Sequence, residues 1–280
     1  MSVRPTRKPK HRSSLRMALG TVYFTIKRWI QWTLSRTEWV SSFTDPVSLP
    51  HVLFSHRTPL YRRLRNLDMW LQENKVTNLR LALAKLNGAV LEPGQTFSYW
   101  RLIGSPSARN GYVEGLALHN GELRVEVAGG LCQLSNLIYW MTLHTPLTVT
   151  ERWRHNYDVF PDADRTLPFG SGATCFYNYV DLQIRNETDR RMVLHLYLTD
   201  TDLVGEWRAE QPPAYSYEVY EADHEIRHEP WGGYTRHNTL RRRVFNVEGE
   251  QIDDQFITEN HAIMMYEPLL PPGAGSQEVG

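Results

Sequence analysis

The sequence predicts an α+β domain, two or three helices packed on a largely antiparallel sheet, with a basic N-terminal helix or tail in front of it. Three observations carry this reading. Residues 74–87 and 132–144 repeat apolar side chains at three- and four-residue spacings, the mark of one-sided or buried helices. Short strand-like segments bounded by Pro-Gly, Asn-Gly and Asn-to-Asp turns fill most of the remainder. Residues 1–36 stand apart, with nine Lys or Arg and no Asp or Glu, leaving 22 basic against 31 acidic residues in the body.

The leader comes first. Its stretch MALGTVYFTI at 17–26 has the length of a signal-peptide core, but Lys27 and Arg28 follow directly and no small-x-small cleavage site appears. No segment reaches the ~20 apolar residues that span a bilayer. As a helix over 14–35, the leader would place Trp29, Trp32 and its aliphatics in a membrane interface, with the basic residues toward headgroups. The other reading is a packing helix behind a disordered basic tail. Cys132 and Cys175 are the only cysteines, too few for a disulfide framework, although one bridge between them stays open. A reducing, cytoplasmic setting is expected, with peripheral contact at the inner membrane face through residues 1–36 as the role open to the leader.

After a polar connection over 44–50 and a basic run at 61–65, Val76, Leu79, Leu83 and Leu86 mark an amphipathic helix that stops at Asn87-Gly88. Pro93-Gly94 makes a turn, and Thr96–Trp100 reads as a strand. Residues 111–117 and 122–127 form a hairpin at His119-Asn120-Gly121. Leu134, Leu137, Ile138 and Met141 give the next helix, ending before Pro146. The segment 145–153 is strand-like, 154–172 is a polar loop, and 177–184 and 192–198 read as paired strands joined at Asn186–Asp189. From Tyr215 onward the tail alternates apolar and polar residues. The chain divides into a leader at 1–40, a domain at 65–268 and a loose end at 269–280.

Three ordered blocks, QENKVTNLRLALAKLNGAVLEPGQTFSYW at 72–100, GGLCQLSNLIYWMTLHTPLTVTERWRHNYDVFPD at 129–162 and FGSGATCFYNYVDLQIRN at 169–186, resemble the VanW family. The resemblance runs over residues 65–268 and also takes in WGGYTRHN and ENHAIMMYEP in the tail. It implies a bacterial protein tied to glycopeptide resistance or the cell envelope. It implies no particular reaction.

Cys132 is the first candidate for chemistry. Gly129-Gly130 supply a tight turn before it, and a helix N-terminus lowers a thiol pKa. His155 could serve as its base and Asp162 could orient that base, in the manner of a Cys–His–Asp arrangement. Gln133 or amides at the helix start would then face an oxyanion. Against this stands the ordinary use of an unpaired cysteine as a small buried hydrophobe. His144 lies at the far end of the same helix, roughly 18 Å away at ~1.5 Å per residue, and is read as contacting the terminal carbonyls.

HEIRH at 224–228 matches a zinc-protease pattern, yet Pro230 and the alternating flanks point to a strand or a loop, and a strand would hold the two histidines too far apart for one zinc. In WGGYTRHN, Trp231, Arg236 and His237 could hold a carboxylate or a sugar, or could decorate a packed sheet edge. No phosphate-binding loop stands between a strand and a helix. Nucleic acid, metal and cofactors are therefore not expected. Two functions remain: an envelope accessory enzyme using Cys132 and His155 for acyl transfer or hydrolysis on a peptidoglycan-precursor-like peptide, or a non-catalytic binding module for such a ligand, with Cys132 structural.

Overall fold

The computed structural model describes residues 13–61, 68–119, 121–159 and 166–268. Asp162, the first twelve leader residues and the expected loose end at 269–280 lie outside them. The architecture is α+β. Helix α1 (Ser14–Leu34) is followed by strand β1 (His51–Pro59), helix α2 (Met69–Leu86), the short strands β2 (Val90–Leu91) and β3 (Thr96–Ser98) and the one-turn helix α3 (Tyr99–Ile103). The hairpin β4 (Glu114–His119) and β5 (Glu122–Val127) leads into helix α4 (Cys132–Leu143). Strands β6 (Thr148–Glu151), β7 (Tyr157–Asp158), β8 (Gln183–Arg185), β9 (Met192–Leu198) and β10 (Asp202–Ala209) come next. Three long strands close the fold, β11 (Ser216–His228), β12 (Tyr234–Phe245) and β13 (Gln251–Met264).

These strands form sheets ordered β1-β10-β9-β2, β11-β12-β13-β7 and β3-β8-β6, beside the β4-β5 hairpin. Every pairing is antiparallel except β13 with β7. Helix α4 packs on β1 and β10, and α2 lies against β4 and β9. Leu79, Leu83 and Leu86 of α2 join Leu134, Leu137, Ile138 and Met141 of α4 in one apolar core with Trp207. Both helical periodicities are therefore used as the sequence spacing predicts. Helix α2 starts five residues earlier than the pattern marks, at Met69, because Leu71 is also buried in its first turn.

Two local expectations change. The strand expected over 96–100 stops at Ser98, whose hydroxyl accepts the Arg101 amide at 3.3 Å and caps α3. The strand expected over 177–184 is confined to its end, β8 at Gln183–Arg185, which pairs with β3 and β6 rather than with β9. Asn186 prevents the simple hairpin: its side-chain amide donates to the carbonyls of Leu91 and Arg190, turning the chain over to a different sheet. HEIRH lies within β11, as its alternating flanks predict.

Candidate functional site

The GGLCQ turn is held by backbone proximity and by two buried side chains. A Cβ on Gly129 would lie 2.1 Å from the carbonyl atoms of Gly115 in β4, so the hairpin and the turn cross where neither chain can carry a side chain. Gly130 adopts φ +92, which L side chains rarely take. Asn78, fully enclosed on α2, donates to the carbonyls of Gly129 and Val113 at 3.0 Å and accepts the Val113 amide at 2.9 Å. The Tyr99 hydroxyl donates to the Leu131 carbonyl at 3.0 Å. Helix α4 then begins at Cys132, with Leu131 at its N-cap making no side-chain cap.

Cys132 is half-buried and Cys175 is buried. Burial pushes the Cys132 thiol pKa up, and the amides of Cys175 and of Cys132 itself only partly oppose that. The Cys175 thiol goes well up, from burial first and then from the negative charges that Asp181 and Cys132 would carry. The helix-end effect expected to activate Cys132 is thus outweighed by desolvation. Cys132 makes no hydrogen bond to an imidazole among the described residues. His155 instead sets its ring edge-on to Phe176, at 6.3 Å between centroids, one residue beyond Cys175.

Asp181 completes this buried cluster. It accepts from the Ser98 hydroxyl, the Trp100 amide and the Gln183 amide group at 2.5, 3.0 and 3.2 Å. Burial nevertheless pushes its carboxyl up to about 6, with nearby Glu151 adding to the rise while Arg28 of α1 opposes it. Arg28 forms a two-pronged ion pair with Glu151, at 2.8 and 2.5 Å, and also donates to the Tyr179 carbonyl. Glu151 accepts in addition from the Trp153 indole and the Asp181 amide.

The remaining sequence candidates are engaged in the fold. The Gln133 side chain donates to the Thr58 hydroxyl and the Pro59 carbonyl, both at 2.9 Å, and so ties the start of α4 to the end of β1. Arg236, only 4% exposed, meets Asp158 of β7 at 3.4 Å and His224 of β11 at 2.9 Å, and its guanidinium lies over the Phe169 ring. The sequence leaves Arg236 open to a ligand carboxylate; an internal one stands there. His237 Nδ1 is 2.6 Å from His261 Nδ1, its Nε2 is 2.8 Å from the Thr235 hydroxyl, and that hydroxyl donates to the buried Glu229. Burial lowers the His237 pKa, and His261 lowers it further. Trp231 sits half-buried in the β11–β12 turn, its ring filling the space a side chain at position 233 would need. The His144 backbone N–H caps the terminal carbonyls of α4, bonding Met141 at 3.1 Å, whereas its ring hydrogen-bonds the Tyr217 carbonyl of β11 at 2.9 Å and stacks on Phe54 at 4.0 Å.

An open cleft of about 720 Å³ lies on the β1-β10-β9 sheet. Its wall includes His56, Arg57, Tyr197 and Asp202. Arg57, Val204 and Tyr197 fall in one cross-strand row. The Arg57 guanidinium and the Tyr197 hydroxyl make no hydrogen bond or ion pair among the described residues, unlike Arg236. Burial lowers the His56 pKa. Reading the sequence alone missed Asn78, Tyr99, Asp181 and this row. A signal existed for two of them, since Asn78 sits beside the apolar face of its helix and Asp181 interrupts the run YNYVDLQI.

Comparison with known proteins places this architecture. A family model described as VanW like protein matches residues 74–208, from the middle of α2 to near the end of β10. The vancomycin B-type resistance protein VanW of Enterococcus faecalis is 36% identical over 231 residues, covering 82% of this chain and 83% of that protein. The chain belongs to the VanW family. The uncharacterized protein YoaR of Bacillus subtilis is also similar, 27% identical over 129 residues, covering 44% of this chain and 43% of that one. No solved structure matches the chain. The matched region takes in the Asn78 clamp, the Gly115–Gly129 crossing and the Cys132–Asp181 cluster.

Proposed function

We propose that this VanW-family protein is an accessory factor of glycopeptide resistance or the cell envelope, acting as a non-catalytic binding module for a peptide of the peptidoglycan-precursor kind. The observation that carries the non-catalytic half is the state of Cys132. A thiol whose pKa burial raises, with no imidazole bonded to it among the described residues, is a poor nucleophile at neutral pH. Its neighbours in the GGLCQ turn serve the fold, so Cys132 is structural in this reading. The family's name-giving relative in E. faecalis supports the resistance context.

The cleft on the β1-β10-β9 sheet supports the binding half. Arg57, in one cross-strand row with Tyr197 and without an ion-pair partner among the described residues, suits a peptide carboxylate, which guanidinium groups bind in two-pronged fashion. Asp202 on the same wall suits an ammonium or amide donor of that peptide. The test is paired. Cys132 in the intact protein is expected to label slowly with iodoacetamide below pH 8, and a Cys132→Ala strain is expected to keep the wild-type vancomycin susceptibility. Arg57→Ala should weaken calorimetric binding of a muramyl pentapeptide on the order of tenfold with the melting temperature unchanged. Fast labelling near pH 6, together with loss of the phenotype in Cys132→Ser, would restore the cysteine enzyme and remove this reading.

A further inference from the structure

Helix α1 is built inside out. Its inward side carries Arg28 and Trp32, the two buried residues of the helix, and Arg28 is fixed to Glu151. Leu15, Leu19, Val22, Ile26, Trp29 and Ile30 are 48–69% exposed. The first five follow one another at spacings of four, three, four and three, which places them in one stripe along the helix. Trp32, which the interfacial one of the two sequence readings places in a membrane beside Trp29, packs into the core as the packing-helix reading has it. The outward stripe is longer and more apolar than the scattered hydrophobics of an ordinary surface, and such contiguous faces are partner sites.

The geometry points to an anionic lipid surface as the partner of this stripe, with α1 lying flat along the headgroup boundary. Charge selects that occupant over a second copy of the chain. Residues 1–36 hold nine basic and no acidic residues. Pairing two α1 stripes would therefore bring Arg16 and Lys27 of both copies together with no carboxylate on either helix to neutralise them. Anionic headgroups supply the missing charge. Trp29 and Tyr23, both exposed, are residue types that settle at the level of headgroups. No described helix is long and apolar enough to cross a membrane, and the Arg28–Glu151 pair holds the opposite face of α1 to the body. A flat helix of 21 residues would contact lipid over about 30 Å.

The test is co-sedimentation of the full chain with vesicles of phosphatidylglycerol mixed into phosphatidylcholine, against vesicles of phosphatidylcholine alone. Binding is expected to be at least roughly tenfold stronger to the anionic vesicles and to fall with added salt. Leu19→Asp with Ile26→Asp should abolish it without lowering the melting temperature, and Arg16→Glu with Lys27→Glu should remove the preference for phosphatidylglycerol. Equal binding to both vesicles, no binding to either, or retention by the Leu19→Asp/Ile26→Asp protein would overturn the inference. So would a dimer seen by analytical ultracentrifugation that this double variant dissolves and vesicles do not displace.

Discussion

Helices α1 and α4 both carry apolar residues at helical spacing, yet one turns them outward and the other is enclosed on nearly every side. In α4, each residue from Leu137 to Leu143 is buried, and the polar Ser135 and Thr142 satisfy their hydroxyls on the carbonyls of Ala173 and Ile138. In α1, an arginine is the buried anchor and the leucines face out. Periodicity thus identifies a helix without saying which side meets the protein. That choice is made by what the rest of the chain offers: a sheet for α4, and a carboxylate, Glu151, for α1.

The contrast can be broken most severely at the entry to α4. Gly129→Ala puts a methyl into the Gly115 backbone and should destabilise the protein by more than about 4 kcal/mol, visible as loss of soluble folded protein. Leu137→Ala, in the middle of the enclosed helix, should cost about 4 kcal/mol in urea unfolding. Arg28→Met should cost about 3 kcal/mol, because Glu151 would keep only the Trp153 and Asp181 donors. Leu137 therefore tests burial of carbon, and Arg28 tests burial of charge.

A pH titration sharpens the comparison on the α1 side, at Asp181, which the Arg28 charge reaches. Below about pH 3.8 both folded and unfolded chains hold its proton. Between that value and about 6 the folded protein keeps a proton the unfolded chain has lost, so stability falls as pH rises and levels off above about 6. The fall should be about 2–3 kcal/mol, and Asp181→Asn should remove it from melting curves taken across this range. Because Arg28 opposes the rise at Asp181, Arg28→Met should move the end of the slope to higher pH. The smallest effect belongs to the outward face of α1, where Leu19→Asp should change unfolding free energy by less than about 0.5 kcal/mol.

Much of the fold is legible in the sequence where structure is local. The spacing of Val76, Leu79, Leu83 and Leu86 marks α2, and the Asn-Gly signal at 120–121 marks the β4–β5 hairpin. Strand β1 is not legible, since HVLFSHRTP mixes polar and apolar residues and becomes a strand by pairing with β10 about 150 residues later. The site is legible only in part. The address of Cys132 at the start of a helix follows from its flanking glycines, but its raised pKa comes from burial, which only the assembled fold supplies. Arg236 shows the same limit: nothing near it in sequence announces Asp158, which arrives from 78 positions away.

Asn78 makes one carboxamide stand in for a missing length of strand, giving and taking hydrogen bonds as a peptide unit would. Its chemistry has a consequence for ageing of the protein. Hydrolysis of that amide to a carboxylate would put an oxygen in place of the nitrogen that faces the carbonyls of Val113 and Gly129, replacing two attractions with repulsions while leaving shape almost intact. The fold keeps this residue from solvent, within a helix and followed by the bulky Leu79, conditions that slow such deamidation. In hydrogen-exchange experiments the Val113 amide, bonded to Asn78 Oδ1, should report whether this stitch is closed.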